Sequence, residues 1–145
     1  MREQVYFEDV AEGQELAPLT MTPDRQQLVK FAAASGDFNP LHFETAFANN
    51  AGLPETIVHG RFKYALVGRF LSEWAGYRGR VKKFGVTYRG MDMPKHEITV
   101  RGVVAKKYQE DGQNVAEVDV WTENAEGKKT TPGSAVVALP SRNDS

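Results

Sequence analysis

Residues 60–75, Gly-Arg-Phe-Lys-Tyr-Ala-Leu-Val-Gly-Arg-Phe-Leu-Ser-Glu-Trp-Ala, constrain the fold of this chain more than any other segment. Phe62, Leu66, Phe70 and Trp74 step by four, and Ala65, Val67, Leu71 and Ala75 widen the apolar face. That spacing is helical, and Gly76 is a suitable stop. A helix this apolar must be covered on more than one side. The cover comes next in the chain. From Arg80 onward the period falls to two, and strands are expected over 81–89, 98–104, 114–122 and 131–139. Met93-Pro94, Glu110-Asp111-Gly112 and Glu126-Gly127 supply the intervening turns. The expected class is α+β, a curved antiparallel sheet wrapped around one long central helix.

The first half is more irregular. Thr22 and Pro23 suit the N-cap and first position of a helix that continues through Leu28, Val29, Phe31, Ala32 and Ala33 to Gly36. A loop follows, then a short helical stretch over 44–48, and 56–58 reads as an extended lead-in to the long helix. With no repeat or linker, 1–145 reads as a single domain. No apolar run approaches the length of a membrane span and the N-terminus is too polar for a signal peptide, so a cytoplasmic protein is expected. The chain has no cysteine, which removes disulfides, thiolate nucleophiles and Cys-based metal sites. Its 18 basic and 19 acidic residues nearly cancel, and its lysine pairs are scattered, so no nucleic-acid partner is expected.

The segment with chemistry in it is Ser35-Gly36-Asp37-Phe38-Asn39-Pro40-Leu41-His42. It sets a carboxylate and an imidazole five residues apart across a turn. Gly36 permits unusual backbone angles, Asn39-Pro40 enforces an extended or turn conformation, and Leu41 offers an anchor. Such a pair can take a proton from water while delivering one to carbon. On residue types alone two other readings stand beside this one. Asp37 could cap the following turn while His42 is an ordinary partly buried histidine. Alternatively Asp37, His42 and His59 could ligate a metal. His96, between Lys95 and Glu97, sits among strand residues.

The run Phe31 to His42, continued to Phe47-Ala48, closely resembles the signature of the R-specific enoyl-CoA hydratases. These form the MaoC-like branch of the hot-dog superfamily, together with the (3R)-hydroxyacyl-acyl-carrier-protein dehydratases. Ile57-Val58-His59-Gly60 matches at the mouth of the long helix, and Asn124-x-x-Gly127 and Gly133-x-Ala135-Val136-Val137 match near the C-terminus. The resemblance covers nearly the whole chain and implies a hot-dog fold. It implies that Asp37 and His42 are the catalytic pair, with no cofactor and no metal. Asn39, with Gly36 and Pro40, would brace the loop. Gly60, beside His59, would present its backbone N–H to the thioester oxygen, where a helix N-terminus offers an unpaired donor and a favourable dipole.

The chain departs from that pattern after His59-Gly60, where Met and Leu are usual and Arg61-Phe62-Lys63-Tyr64 stands instead. Two cations in a first turn oppose the helix dipole, each by about 0.3–1 kcal/mol if unpaired. Either they point to solvent or pair with a carboxylate, or one of them contacts an acidic substrate group or a coenzyme phosphate. Gly68 stands where some relatives carry a small hydroxyl residue. The implied substrate is an acyl-CoA or acyl-ACP thioester, with coenzyme A favoured because near-neutral charge offers no docking surface for an acidic carrier. An open sheet edge implies a homodimer or higher oligomer, with a heterodimer possible, and Phe84, Tyr88, Met91, Met93 and Pro94 are candidates for the interface or acyl pocket. A hot-dog thioesterase, or one subunit of a heterodimeric hydroxyacyl-ACP dehydratase, are the alternative functions.

Overall fold

The protein is described here by a computed structural model, over residues 3–143. In chain order its elements are β1 (Leu19–Met21), α1 (Arg25–Ser35), α2 (Thr45–Asn50), α3 (Gly60–Ala75), β2 (Arg80–Val86), β3 (Ile98–Glu110), β4 (Gln113–Asn124) and β5 (Lys129–Ala138). Single turns of 3-10 helix lie at Phe7–Asp9 and Pro40–His42. The five strands form one sheet in the order β1-β3-β4-β5-β2, every pair antiparallel. The sheet curls around α3, which is the hot-dog fold.

The core is the interface between that sheet and one side of α3. Leu66, Val67, Phe70, Leu71 and Ala75 of the helix join Ile98, Val100, Val104, Val118, Val120, Ala135 and Val137 of the sheet in a single buried cluster. Gly102 of β3 makes room for this contact, since a Cβ there would stand 3.0 Å from the Phe70 ring. The opposite side of α3, with Arg61, Tyr64, Ala65, Arg69 and Ser72, faces solvent. One helix therefore carries two faces of opposite character. Among the described residues no helix is long and apolar enough to cross a membrane.

Several element limits differ from the sequence expectation, each for a local reason. The cap of α1 is Asp24 and not Thr22, because the Asp24 carboxylate accepts from Gln27 N at 2.8 Å while Gln27 Oε1 accepts from Asp24 N at 3.0 Å. This reciprocal pairing leaves Pro23 just outside the helix. β2 ends at Val86 instead of Arg89. The Thr87 N–H still bonds the Pro132 carbonyl at 2.8 Å, but proline has no N–H to return, so regular pairing is broken there although the Arg89 N–H bonds the Thr130 carbonyl at 2.9 Å. β3 runs six residues past Val104, across a register shift between Val104 and Lys106. Beyond the shift its side chains are half-buried or exposed, which hides the alternation. β1 is only three residues long, too short for a period to show.

Candidate active site

Three loops meet at the open end of α3. The first begins where α1 stops. Gly36 takes the left-handed conformation (φ 76°) and its N–H bonds the Ala32 carbonyl at 2.9 Å, turning the chain sharply out of the helix. Asp37 follows at once. Asn39 then caps the turn Pro40–His42, its Oδ1 accepting from Leu41 N at 3.1 Å, with Pro40 at a first helical position. That turn swings His42 back towards Asp37 and buries its ring. A second loop arrives alongside through the Ile57 N–H, which bonds the Leu41 carbonyl at 3.0 Å.

Hydrogen bonding fixes the state of both histidines here. His42 Nδ1 lies 2.8 Å from the Ile57 carbonyl, which can only accept, so Nδ1 carries the hydrogen. In the neutral ring Nε2 is therefore a bare lone pair. It faces Asp37 Oδ2 at 3.7 Å, too long for a direct hydrogen bond. A base and a carboxylate thus share a small space without satisfying each other. The Asp37 side chain keeps 38% of its surface exposed, so the space opens to solvent. His59 is fully buried and stacks on His42, centroids 3.7 Å apart and planes 21° apart, with Phe31 edge-on to it at 5.0 Å. Its Nε2–H donates to the Asp37 carbonyl at 3.2 Å, and its Nδ1 has no partner among the described residues. Burial first, and the neighbouring His42 second, push the His59 pKa below its ordinary value, which favours the neutral ring.

Gly60 opens α3 one residue past His59. No side chain caps this helix, and the Gly60 N–H has no acceptor among the described residues. The Tyr88 ring lies against Gly60, where a Cβ would come within 3.1 Å of it. The two cations of the first turn separate. Arg61 is exposed. Lys63 is buried, its Nζ donating to Asp92 Oδ2 at 2.8 Å and to the Gly90 carbonyl at 2.7 Å. It takes the carboxylate-paired state and is withdrawn from solvent, which corrects its candidacy for a phosphate contact. Arg61 keeps that candidacy. Further along α3, the Phe84 ring meets Gly68 and stacks on Tyr64 at 4.4 Å. Tyr88 and Met91 are exposed, Met93 is partly covered and Pro94 is buried.

Asp37, His42 and His59 do come together, with one donor atom of each inside a 4.8 Å span. Their orientation is unsuited to a shared metal. Imidazole binds through a lone pair in the ring plane at about 2.0–2.1 Å. With the two rings nearly parallel at 3.7 Å, no point lies in both planes near both nitrogens. His96 is exposed and stands apart, beside the short cleft lined by Met91, Asp92 and Asn124. Sequence reasoning did not reach two participants. Asp92 is 29 positions from its partner Lys63, and Ile57 acts through a backbone carbonyl that no side-chain pattern marks.

Comparison with known proteins gives a consistent picture. The profile of the MaoC-like domain matches residues 8–126. The fatty acid synthase beta subunit hexB of Dothistroma septosporum is 35% identical over 114 residues, covering 77% of this chain and 6% of that protein. The chain spans between 4% and 6% of the first such curated relatives. Among solved structures, the (R)-hydratase from A. caviae involved in PHA biosynthesis is similar with a TM-score of 0.82 and 26% identity, covering 92% of this chain and 99% of that one. R-hydratase PhaJ1 from Pseudomonas aeruginosa shares the fold with a TM-score of 0.87 at 24% identity, over 96% of this chain and 88% of that one.

Proposed function

This chain belongs to the MaoC-like domain family, whose members are hydratases and dehydratases, and from that premise we propose that it adds water R-specifically across the double bond of trans-2-enoyl thioesters, or runs the reverse dehydration of (3R)-3-hydroxyacyl thioesters. The observation that carries the proposal is the state of His42. Its Nδ1–H is tied to the Ile57 carbonyl, which leaves Nε2 as a base 3.7 Å from the Asp37 carboxylate and next to an uncapped helix N-terminus.

Water sits between Asp37 and His42, one hydrogen accepted by the carboxylate and the other by Nε2. As the oxygen bonds to C3, Nε2 takes the proton, and the Asp37 charge steadies the imidazolium. The electrons of the double bond move onto the thioester oxygen. There the Gly60 N–H and the positive end of α3 meet the growing enolate charge. Collapse of the enolate takes the proton from His42 Nε2 onto C2 and restores the neutral imidazole. The sum is H and OH added across one bond, with no redox step. Asn39, Gly36 and Pro40 hold the loop, and His59 braces the Asp37 backbone and the His42 ring.

Coenzyme A is the proposed carrier. The net charge of −1 gives no overall attraction to an acidic carrier protein, and Arg61 stands exposed beside Gly60 to meet a phosphate. The proposed working form is a homodimer, because the outer edge of β2 has no strand partner among the described residues and half-exposed aromatics, Tyr64 and Tyr88, lie beside it. The deciding measurement is loss of the enoyl-thioester absorbance with crotonyl-CoA and longer trans-2-enoyl-CoAs, with chiral analysis of the product. Wild type should give R-3-hydroxyacyl-CoA, and Asp37→Asn should lower kcat by about 100- to 10,000-fold. Free thiol release with the double bond intact would replace this reading with a thioesterase. Turnover confined to carrier-protein substrates would reassign the carrier.

A further inference from the structure

The Lys63–Asp92 pair is unusual for its burial, with 2% of each side chain exposed. Burial of two charges is a poor source of stability, because desolvation offsets their attraction and a well-packed apolar pair of similar volume is often as stable or more so. The pair is not even fully satisfied, since Asp92 Oδ1 is buried without a partner among the described residues. Its connections explain it better than its energy does. Lys63 lies in the first turn of α3, three residues beyond Gly60. Its Nζ grips the Gly90 carbonyl as well as Asp92, and so holds the segment 90–92 at two points.

That segment is tied to the chain that leads into the site. The Asp92 carbonyl accepts from Val58 N at 2.8 Å, immediately before His59 and Gly60. The preceding residue, Ile57, supplies the carbonyl that places the hydrogen on His42 Nδ1. Tyr88, two residues before Gly90, lays its ring on Gly60. Movement of 90–92 relative to α3 would shift the tautomer-setting carbonyl, the oxyanion donor and the wall beside it together. An ionic contact fixes a single N–O geometry where apolar surfaces could slide.

We propose that Lys63 and Asp92 are positioning residues, a buried ionic clamp that aligns the Gly60 donor with the His42–Asp37 pair. The assignment rests on the hydratase reading, and its role is alignment. Both side chains are buried, so neither is offered to substrate.

The test uses the full chain with Lys63→Met/Asp92→Leu, an apolar pair of similar size, and the near-isosteric Asp92→Asn. Cooperative thermal melting establishes folding. The double variant should melt at or near the wild-type temperature, yet lose about 10- to 100-fold in kcat with KM nearly unchanged, the scale expected for sub-ångström to 1 Å misplacement. Long-range 1H–15N spectra should show His42 as a single Nδ1–H tautomer in wild type and as a mixture in the variant. A folded double variant with wild-type kcat and the single tautomer would overturn the clamp. If the double variant does not fold, Asp92→Asn decides by the same two readouts. Should wild type turn over no enoyl thioester, the hydratase reading fails, while the tautomer comparison still decides the clamp.

Discussion

Replacing Gly60 by alanine separates stability from chemistry at the proposed oxyanion donor. The new Cβ would stand 3.1 Å from Cε2 and Cζ of Tyr88 and 3.2 Å from Cδ2, so the ring must retreat by a few tenths of an ångström. Tyr88 is half exposed and can do so cheaply. Alanine is favoured over glycine in a helix by up to about 1 kcal/mol, less at the first position. Strain and propensity oppose each other, and the net change in stability should stay within about 1 kcal/mol. The effect on rate is of another size. The methyl group and the displaced ring would crowd the N–H proposed to meet the thioester oxygen, and loss of one such donor costs roughly 100- to 1,000-fold, about 3–4 kcal/mol in the transition state. The assay is kcat/KM from enoyl-thioester absorbance, alongside a thermal melt. Gly60→Ala/Tyr88→Ala should recover part of the loss if the displaced ring contributes to it. A Gly60→Ala protein that melts normally and keeps kcat/KM within about threefold would refute the placement of the thioester oxygen at this helix end.

Three further outcomes follow from the same geometry. The His59 pKa is lowered in the folded protein from the ordinary 6.5, chiefly by burial, so below that pH the unfolded chain binds more protons than the folded one. The stabilising contribution is therefore intact above about pH 6.5 and lost as pH falls towards the folded pKa, and His59→Phe should flatten the decline in Tm between pH 7 and 5. Leu71 is fully buried in the helix–sheet core, so Leu71→Ala should cost about 2–5 kcal/mol in denaturant unfolding with kcat little changed in the folded fraction. Arg61→Ala should raise KM about tenfold for coenzyme A thioesters and leave pantetheine thioesters unaffected, and equal effects on both would remove the phosphate role.

Legibility in the sequence followed the range of the interaction. The limits of α3 could be read directly because the apolar period of four ends at Gly76, which adopts φ 73°. The strand core of β4 was equally plain, since its alternation coincides with alternate burial at Val118, Val120 and Thr122. Where an alternating face met a bulge, as after Val104, the pattern failed although the ladder continued. The motif from Gly36 to His42 gave the candidate acid–base residues because its caps and turns are local. Their mutual geometry was not readable. The His42–His59 stack, the Ile57 carbonyl and the burial of Lys63 by Asp92 all join residues at least 15 apart, and nothing in their local sequence announces the partner.

The two-sided character of α3 has an evolutionary consequence. Leu66, Val67, Phe70 and Leu71 on one side are committed to the core, while Arg61, Tyr64, Ala65 and Arg69 on the other answer to solvent and to whatever binds there. Substitutions of the second set can accumulate with little penalty in folding. Contacts made from that face can therefore change along one helical stripe while the helix–sheet core that holds the domain together stays the same.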